Sequence, residues 1–339
     1  MSGFSKKKRP NKKRHSEGGF VLINALVLVL ALAALSTWLL SRAEGGRIRL
    51  QAGLEAAQIT LALDAMDALA LTLLQQDQGS TDHPGENWAR PIAPQALAPE
   101  QDPEQNSGEV SGEILDLQGR FNVNWLSNAD NLVAQAGFEH LLNQLALPPQ
   151  TGPLLQRFLR PGSQFSRAER ALWQQMDPPR DPVGGPLLSA DQLAELPGLS
   201  PRVYTRLRSW ITALPGDSAL NVNSAAPEIL QAFLPHLSPA ALSRLLAQRR
   251  RQPFASVDAF LIAARLEQLT EEDPQEEVTE DDTQLRPEHL AVGSSWFRLD
   301  SQAHQETHLG TLQARRSSIL KRRGGGQRPE ITWQITHRP

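Results

Sequence analysis

Phe20–Leu40 reads FVLINALVLVLALAALSTWLL, twenty-one residues without a charge. At 1.5 Å per residue a helix of that length spans about 32 Å. That is enough to cross a hydrocarbon layer with every backbone polar group bonded inside the segment. On its N-terminal side lie Gly18-Gly19 and a leader in which Lys6, Lys7, Lys8, Arg9, Lys12, Lys13 and Arg14 stand against a single acid, Glu17. The positive-inside rule keeps that leader in the cytoplasm and carries the chain beyond residue 40 to the other side. A secretory signal would have a shorter apolar region and a small-residue cleavage site. Here the far end reads STWLLSRAEGG, and the paired glycines sit on the cytoplasmic side. The expectation is a single-pass anchor with its body in the periplasm.

Removing residues 1–19 takes away seven cations and one acid, so the formal charge moves from −3 to −9. An acidic body lacks the basic face on which general nucleic-acid binding rests. Cysteine is absent, which excludes disulfides, thiol catalysis and cysteine-bound zinc.

The helical pattern continues over residues 41–76, with Ile59, Leu63, Met66, Ala70 and Leu73 at spacings of three and four, while Gln58, Asp64 and Asp67 fall off the stripe. One face therefore packs on a core and the other is wet, with Gly45-Gly46 as a soft point. Residues 77–126 read as a loop anchored by Trp88, then one or two short strands around Gln118-Gly119. From 127 to 270, leucine- and alanine-rich helices alternate with Pro and Gly breaks; Ser189 or Asp191 and Ser224 are the candidate caps. An acidic linker occupies 271–287, with eight acids among residues 271–282. Residues 288–339 alternate again, as in EITWQITHR, and predict an antiparallel meander bent at Gly324-Gly325-Gly326. Too few strands stand at either end to be stable alone. The order predicts one α+β domain, a long N-terminal helix packed on a small antiparallel sheet, with a large all-helical domain inserted.

Within that insert, LAELPGLSPRVYTRLRSWI and the segment from Asn221-Val222-Asn223-Ser224-Ala225 to RRRQPFASVDAFL resemble helix-hairpin-helix units. A working hairpin uses two glycines so that backbone N–H groups approach a phosphate. LPGLS keeps Gly198 but has Ser200 at the second place, and LPHLS has His236 and Ser238 at both. These read as helix-pairing motifs with a damaged phosphate cradle, and only Arg249, Arg250 and Arg251 supply local positive charge. The acidic run offers calcium its preferred oxygens but lacks the D-x-D-x-D-G regularity of a preformed loop, and reads as a solvated linker. His304 and His308 could converge on a metal only from a helix, and their surroundings read as strand and loop. No nucleophile elbow, P-loop or dinucleotide fingerprint is present, so nothing in the residues motivates catalysis or a cofactor.

A basic leader ending in glycine, an aromatic residue next, and an uncharged span running into a long helix resemble the type IV pilin-like N-terminus. The resemblance implies that a prepilin peptidase cleaves between Gly19 and Phe20 and methylates Phe20. Most of that family has Glu at the fifth mature position, where it pairs with the terminal ammonium of a neighbouring subunit; here it is Asn24. A tip subunit has no neighbour above it, and a neutral residue avoids a buried unpaired charge. With GRFNVNWL at 119–126, GPLLSADQLAELPGLSPRVYTRL, LPGDSALNVNSAAPEIL and RQPFASVDAFL, the chain is similar to the general secretion pathway protein K family, the large minor pseudopilins of type II secretion. That resemblance implies a pseudopilus tip in the bacterial inner membrane, built with minor pseudopilins I, J and H, that primes assembly and helps move folded secreted proteins outward. The helix face of Ile59, Leu63 and Met66 is the expected partner surface. Calcium sites known in the family are not carried over, because its acidic D-W-x-D-x-D stretch is replaced here by QRFLRPGSQFSRAERALW, residues 156–173.

Two other classes are compatible with the anchor. A DNA-uptake pseudopilin would need a basic face and intact hairpin glycines, and a membrane-anchored periplasmic enzyme would need a convergent polar cleft.

Overall fold

The computed structural model describes residues 17–97, 108–162, 164–182, 184–269, 285–307, 310–323 and 327–338. The leader before residue 17, the acids of 271–282, His308 and Gly324-Gly325-Gly326 lie outside the described residues. The chain divides into two compact units, one ending at Gln58 and the other starting at Ile59.

The first unit is helix. Helix α1, Glu17–Gln76, runs without a break through Gly45 and Gly46, so the expected soft point is continuous helix. Neither glycine has a neighbour within 4 Å of where a side chain would begin.

The second unit holds two cores. In the first, the turns of α1 from Ile59 onward lie on five strands: β1 (Ile92–Ala96), β2 (Gly108–Asp116), β7 (Trp296–Thr307), β8 (Gly310–Lys321) and β9 (Glu330–His337). They form one sheet of order β1-β2-β7-β8-β9, antiparallel throughout. Alternation puts Phe297, Leu299 and Ala303 of β7 on the inner face with Ala314 and Leu320 of β8, as period two requires. The C-terminal meander is as expected, whereas β1 forms within the segment read as loop, because IAPQA has no alternation and lies at the sheet edge. Trp88 anchors that segment, edge-on to Phe297 with ring centroids 5.0 Å apart.

Ile59, Leu63 and Met66 are 2, 0 and 3 % exposed in this core. They are core residues under the chain's own sheet, which corrects the expected partner face. The stripe was real, but its occupant is intramolecular. Asp67, which the periodicity put on the wet side, is buried as well, because it meets Arg316.

Register settles the insertion. Strands β2 and β7 are neighbours, with Ile114 opposite Leu299, yet the whole helical block separates them in sequence. That block contains α2 (Leu132–Gln144), α3 (Thr151–Leu159), α4 (Arg167–Gln174), α5 (Pro201–Leu207), α6 (Pro227–Phe233), α7 (Pro239–Arg251) and α8 (Val257–Leu269). Its core opens at Phe121 rather than 127, because Phe121, Val123, Trp125 and Leu126 pack with Phe138, Leu141 and Phe233. Helices α2 and α6 come close at Gly137, where a side chain would begin 2.5 Å from the Phe233 ring. Two short parallel pairs stitch the block: β3 (Phe121–Asn122) to β4 (Ile211–Thr212), and β5 (Leu220–Asn221) to β6 (Leu290–Ala291).

Candidate functional site

In the first unit the side chains from Phe20 to Leu40 are all exposed, Phe20 at 68 %. The segment Phe20–Gln76 is long and apolar enough to cross a membrane. Gly19 and Phe20 lie within α1, and Asn24 is an exposed polar side chain one turn further on. Thr37 satisfies its hydroxyl within the helix by donating to the Ala33 carbonyl at 2.9 Å, as a hydroxyl surrounded by apolar side chains must.

Where α1 meets the sheet, Arg316 of β8 donates to Asp64 and, at 2.8 Å, to Asp67. Asp67 also accepts from Ser318 at 2.7 Å and from Gln334 of β9 at 2.7 Å. The Arg316 and Asp67 side chains are each only 6 % exposed. Such a pair is tolerable where further hydrogen bonds satisfy both charges, and here it fixes helix, β8 and β9 together.

The two hairpin-like motifs differ. LPGLS follows a 3-10 helix, Ala190–Glu195, capped by Ser189, whose hydroxyl accepts from the Asp191 N–H at 3.2 Å; LPHLS joins α6 to α7. Gly198 has φ +91°, a conformation that favours glycine. At the second-glycine places Ser200 and Ser238 are helix caps, accepting from Val203 N–H at 3.3 Å and Ala241 N–H at 3.2 Å. A phosphate would need those N–H groups, and a serine already engages one at each helix start. Arg249 points inward to the Val222 and Ala225 carbonyls at 2.9 and 2.7 Å. Burial pulls it down to about 10, and Arg250 adds to the fall. The arginine cluster thus spends one member on structure, leaving Arg250 and Arg251 exposed. His304 lies exposed on β7.

Periodicity missed the polar residues that hold the block together. Asn122-Val123-Asn124 and Asn221-Val222-Asn223 are the same module used twice: the first Asn of each accepts from the N–H of the second, at 3.1 and 3.0 Å. Asn124 donates to the Leu187 and Leu214 carbonyls and accepts from Leu187 N–H. Asn223 donates to Phe254 and Val292 carbonyls and accepts from Phe254 N–H. Asn221 reaches the Asp82 carbonyl, Asp116 and Ser294. Ser224 is not a helix cap as expected; it donates to Asp116 at 2.5 Å, and Ala226 precedes Pro227 at the start of α6. The recurrence of N-V-N was the available signal. Burial pushes Asp116 up, against the bonds from Ser224, Ser294, Gln118 and Asn221.

Two family models, both described as type II secretion system (T2SS), protein K, match residues 119–216 and 220–279. Each matched stretch opens on one N-V-N module. Type II secretion system protein K of Aeromonas hydrophila is 28 % identical over 239 residues, 62 % of this chain and 68 % of that one. The protein K of Klebsiella pneumoniae is 25 % identical over 338 residues, 92 % of this chain and 97 % of that one. Family models, curated relatives and a solved structure agree in supporting a type II secretion system protein K. Among solved structures, a chain of the GspK-GspI-GspJ complex from enterotoxigenic Escherichia coli is similar with a TM-score of 0.64 at 22 % identity, over 85 % of this chain and 99 % of that one. That likeness gives protein K its fold: a pilin-like α+β domain with a helical insert. The same findings support a minor pseudopilin of a type II secretion system.

Proposed function

We propose that this protein K caps the pseudopilus tip, nucleates assembly with minor pseudopilins I, J and H, and helps move folded secreted proteins across the outer membrane. The carrying observation is Asn24: a neutral residue on a fully exposed apolar helix where pilin-like chains generally place Glu. A carboxylate there would need a terminal ammonium from a subunit above, and an uncharged amide does without one. In this reading the leader stays cytoplasmic and the body is periplasmic. Prepilin peptidase cuts between Gly19 and Phe20 and methylates Phe20. The similar solved structure is a complex of GspK with GspI and GspJ, which supports I and J as partners. The work is mechanical, with no reaction of its own.

The test is the intact mass and N-terminal sequence of the membrane-extracted protein from cells with and without prepilin peptidase. The expected outcome is an N-terminus at methylated Phe20 only when the peptidase is present. An intact leader in both strains, or cleavage elsewhere, overturns the reading.

A further inference from the structure

After α1 ends, the loop DQGSTDHPGE, residues 77–86, meets the chain just before β7, where Asp82 N–H donates to the Val292 carbonyl at 2.9 Å. Asp77, Asp82 and Glu86 each bring a carboxylate oxygen within 4.8 Å of the other two. A cluster of acids by itself is common, so what matters is how their oxygens are used. Asp77 Oδ2 accepts from Arg322 Nη1 at 2.6 Å and Oδ1 from Gly79 N–H at 3.1 Å. Glu86 Oε2 accepts from His83 N–H at 3.0 Å and from the Trp88 indole at 2.7 Å. Asp82 Oδ2 accepts from Ser294 N–H at 2.6 Å and from Arg322 Nη2.

Asp82 Oδ1 is different. Asp82 is 0 % exposed, and this oxygen is buried with no hydrogen-bond partner among the described residues. A carboxylate oxygen removed from water and left unpaired is costly, and a native structure that keeps one needs a reason.

A second observation is independent of hydrogen bonding. Gly79 leaves open the space its side chain would occupy: an atom there would lie 3.2 Å from Asp77 Oδ1, 3.2 Å from the Thr81 carbonyl and 3.4 Å from Glu86 Oε1. Main-chain and carboxylate oxygens thus converge on one small space. Charge points the same way, since three carboxylates stand against the single guanidinium of Arg322, leaving two negative charges for a divalent ion to balance.

We infer that the Asp77–Glu86 loop is a calcium site, with carboxylate ligands from Asp77, Asp82 and Glu86 and a main-chain ligand from Thr81. Every donor is oxygen, which selects a hard cation. Calcium takes about six to eight oxygens in a flexible arrangement, whereas magnesium demands a near-ideal octahedron and keeps several of its waters, so a loop that offers carboxylate and main-chain oxygens favours calcium. The site lies outside both the acidic run and residues 156–173. It joins the end of α1 to Ser294, just before β7, so the ion would tie the helix to the sheet independently of any pseudopilus partner.

The test uses the full chain in detergent after chelation, titrated with calcium chloride, with magnesium chloride as comparator, by calorimetry. Terbium chloride gives a direct readout, since Trp88 bonded to Glu86 would sensitise emission from an ion in this loop. The expected result is calcium binding that magnesium does not match, terbium emission on tryptophan excitation that calcium displaces, and at least a tenfold weakening in Asp82→Asn and in Glu86→Gln. Asp82→Asn alters a buried side chain. Glu86→Gln, compared at its own melting temperature in chelator, is therefore the variant that separates lost ligation from lost folding, and Asp77→Asn replaces it if Glu86→Gln fails to fold. Equal calcium affinity in the wild type and all folded variants would place the ion elsewhere and overturn the inference, as would no calcium binding up to millimolar concentration or an equal response to magnesium.

Discussion

Asp116 shows how one carboxylate can couple the two cores to pH. Its Oδ1 accepts from Gln118 N–H at 2.8 Å, and its Oδ2 takes Asn221 and Ser224 from one segment and Ser294 from another. Desolvation nevertheless wins, raising its pKa above the usual 3.8. An acid raised in the folded state binds its proton more tightly there, so its contribution is most favourable below the unfolded pKa and is lost as pH rises toward the folded value. In the calcium-free protein Asp82, pushed up to about 6 chiefly by burial, against Ser294 and Arg322, adds a slope of the same sign. Asp116→Asn should therefore flatten part of the decline in stability as pH rises above the ordinary carboxylate value of about 4. Denaturant titrations across that range check it; an unchanged slope would mean the carboxylate titrates normally. None of this was legible from periodicity, because Asp116 sits in an alternating strand where a polar residue reads as solvent-facing.

The pairing of helix with strands was legible in part. The spacing of Ile59, Leu63, Met66 and Ala70 predicted a packed face, and that face is packed. What periodicity could not say is whether the surface opposite belonged to another chain or to residues some 240 positions later. Arg316 gives the clearest measure of that long-range contact. Arg316→Ala would leave Asp67 buried without its countercharge, a loss on the order of 3–5 kcal/mol. Replacing Arg316 and Asp67 together by Met and Leu should restore much of it, since a well-packed apolar pair avoids desolvation altogether. Thermal melts of the single and double variants distinguish the stranded charge from simple lost packing. Gly137 was equally unreadable in sequence: nothing in LVAQAGFEHLLNQ marks it as the point where the Phe233 ring crosses α2.

For the molecule as a whole, the order of helix, strand, helical block and strand was correct because each change of period is local, and the insertion followed from strand count. The boundary was six residues late, since FNVNWL alternates like a strand but its side chains enter the helical core. Burial also moves the expected partner surface around α1. Leu61 is 66 % exposed and Leu69 38 %, on the side away from the sheet. Under the proposed tip role, Leu61→Glu should weaken copurification with I and J while leaving the melting temperature within about a degree or two, as an exposed change generally does. Leu63→Glu, by contrast, should unfold the sheet core. If Leu61→Glu copurifies as the wild type does, that side of the helix is not the interface.

Strands β2 and β7 lie side by side although about 180 residues separate them. At about 5–20 residues per second, a ribosome needs on the order of 10 to 40 s to make the intervening chain. Throughout that interval β2 has an unpaired edge, the kind of template that recruits the wrong strand. The pairing of Leu220 with Leu290 brings the start of β7 back toward the end of β2. A helical block that folds first would shorten the loop to be closed, turning a slow search between distant strands into a local one.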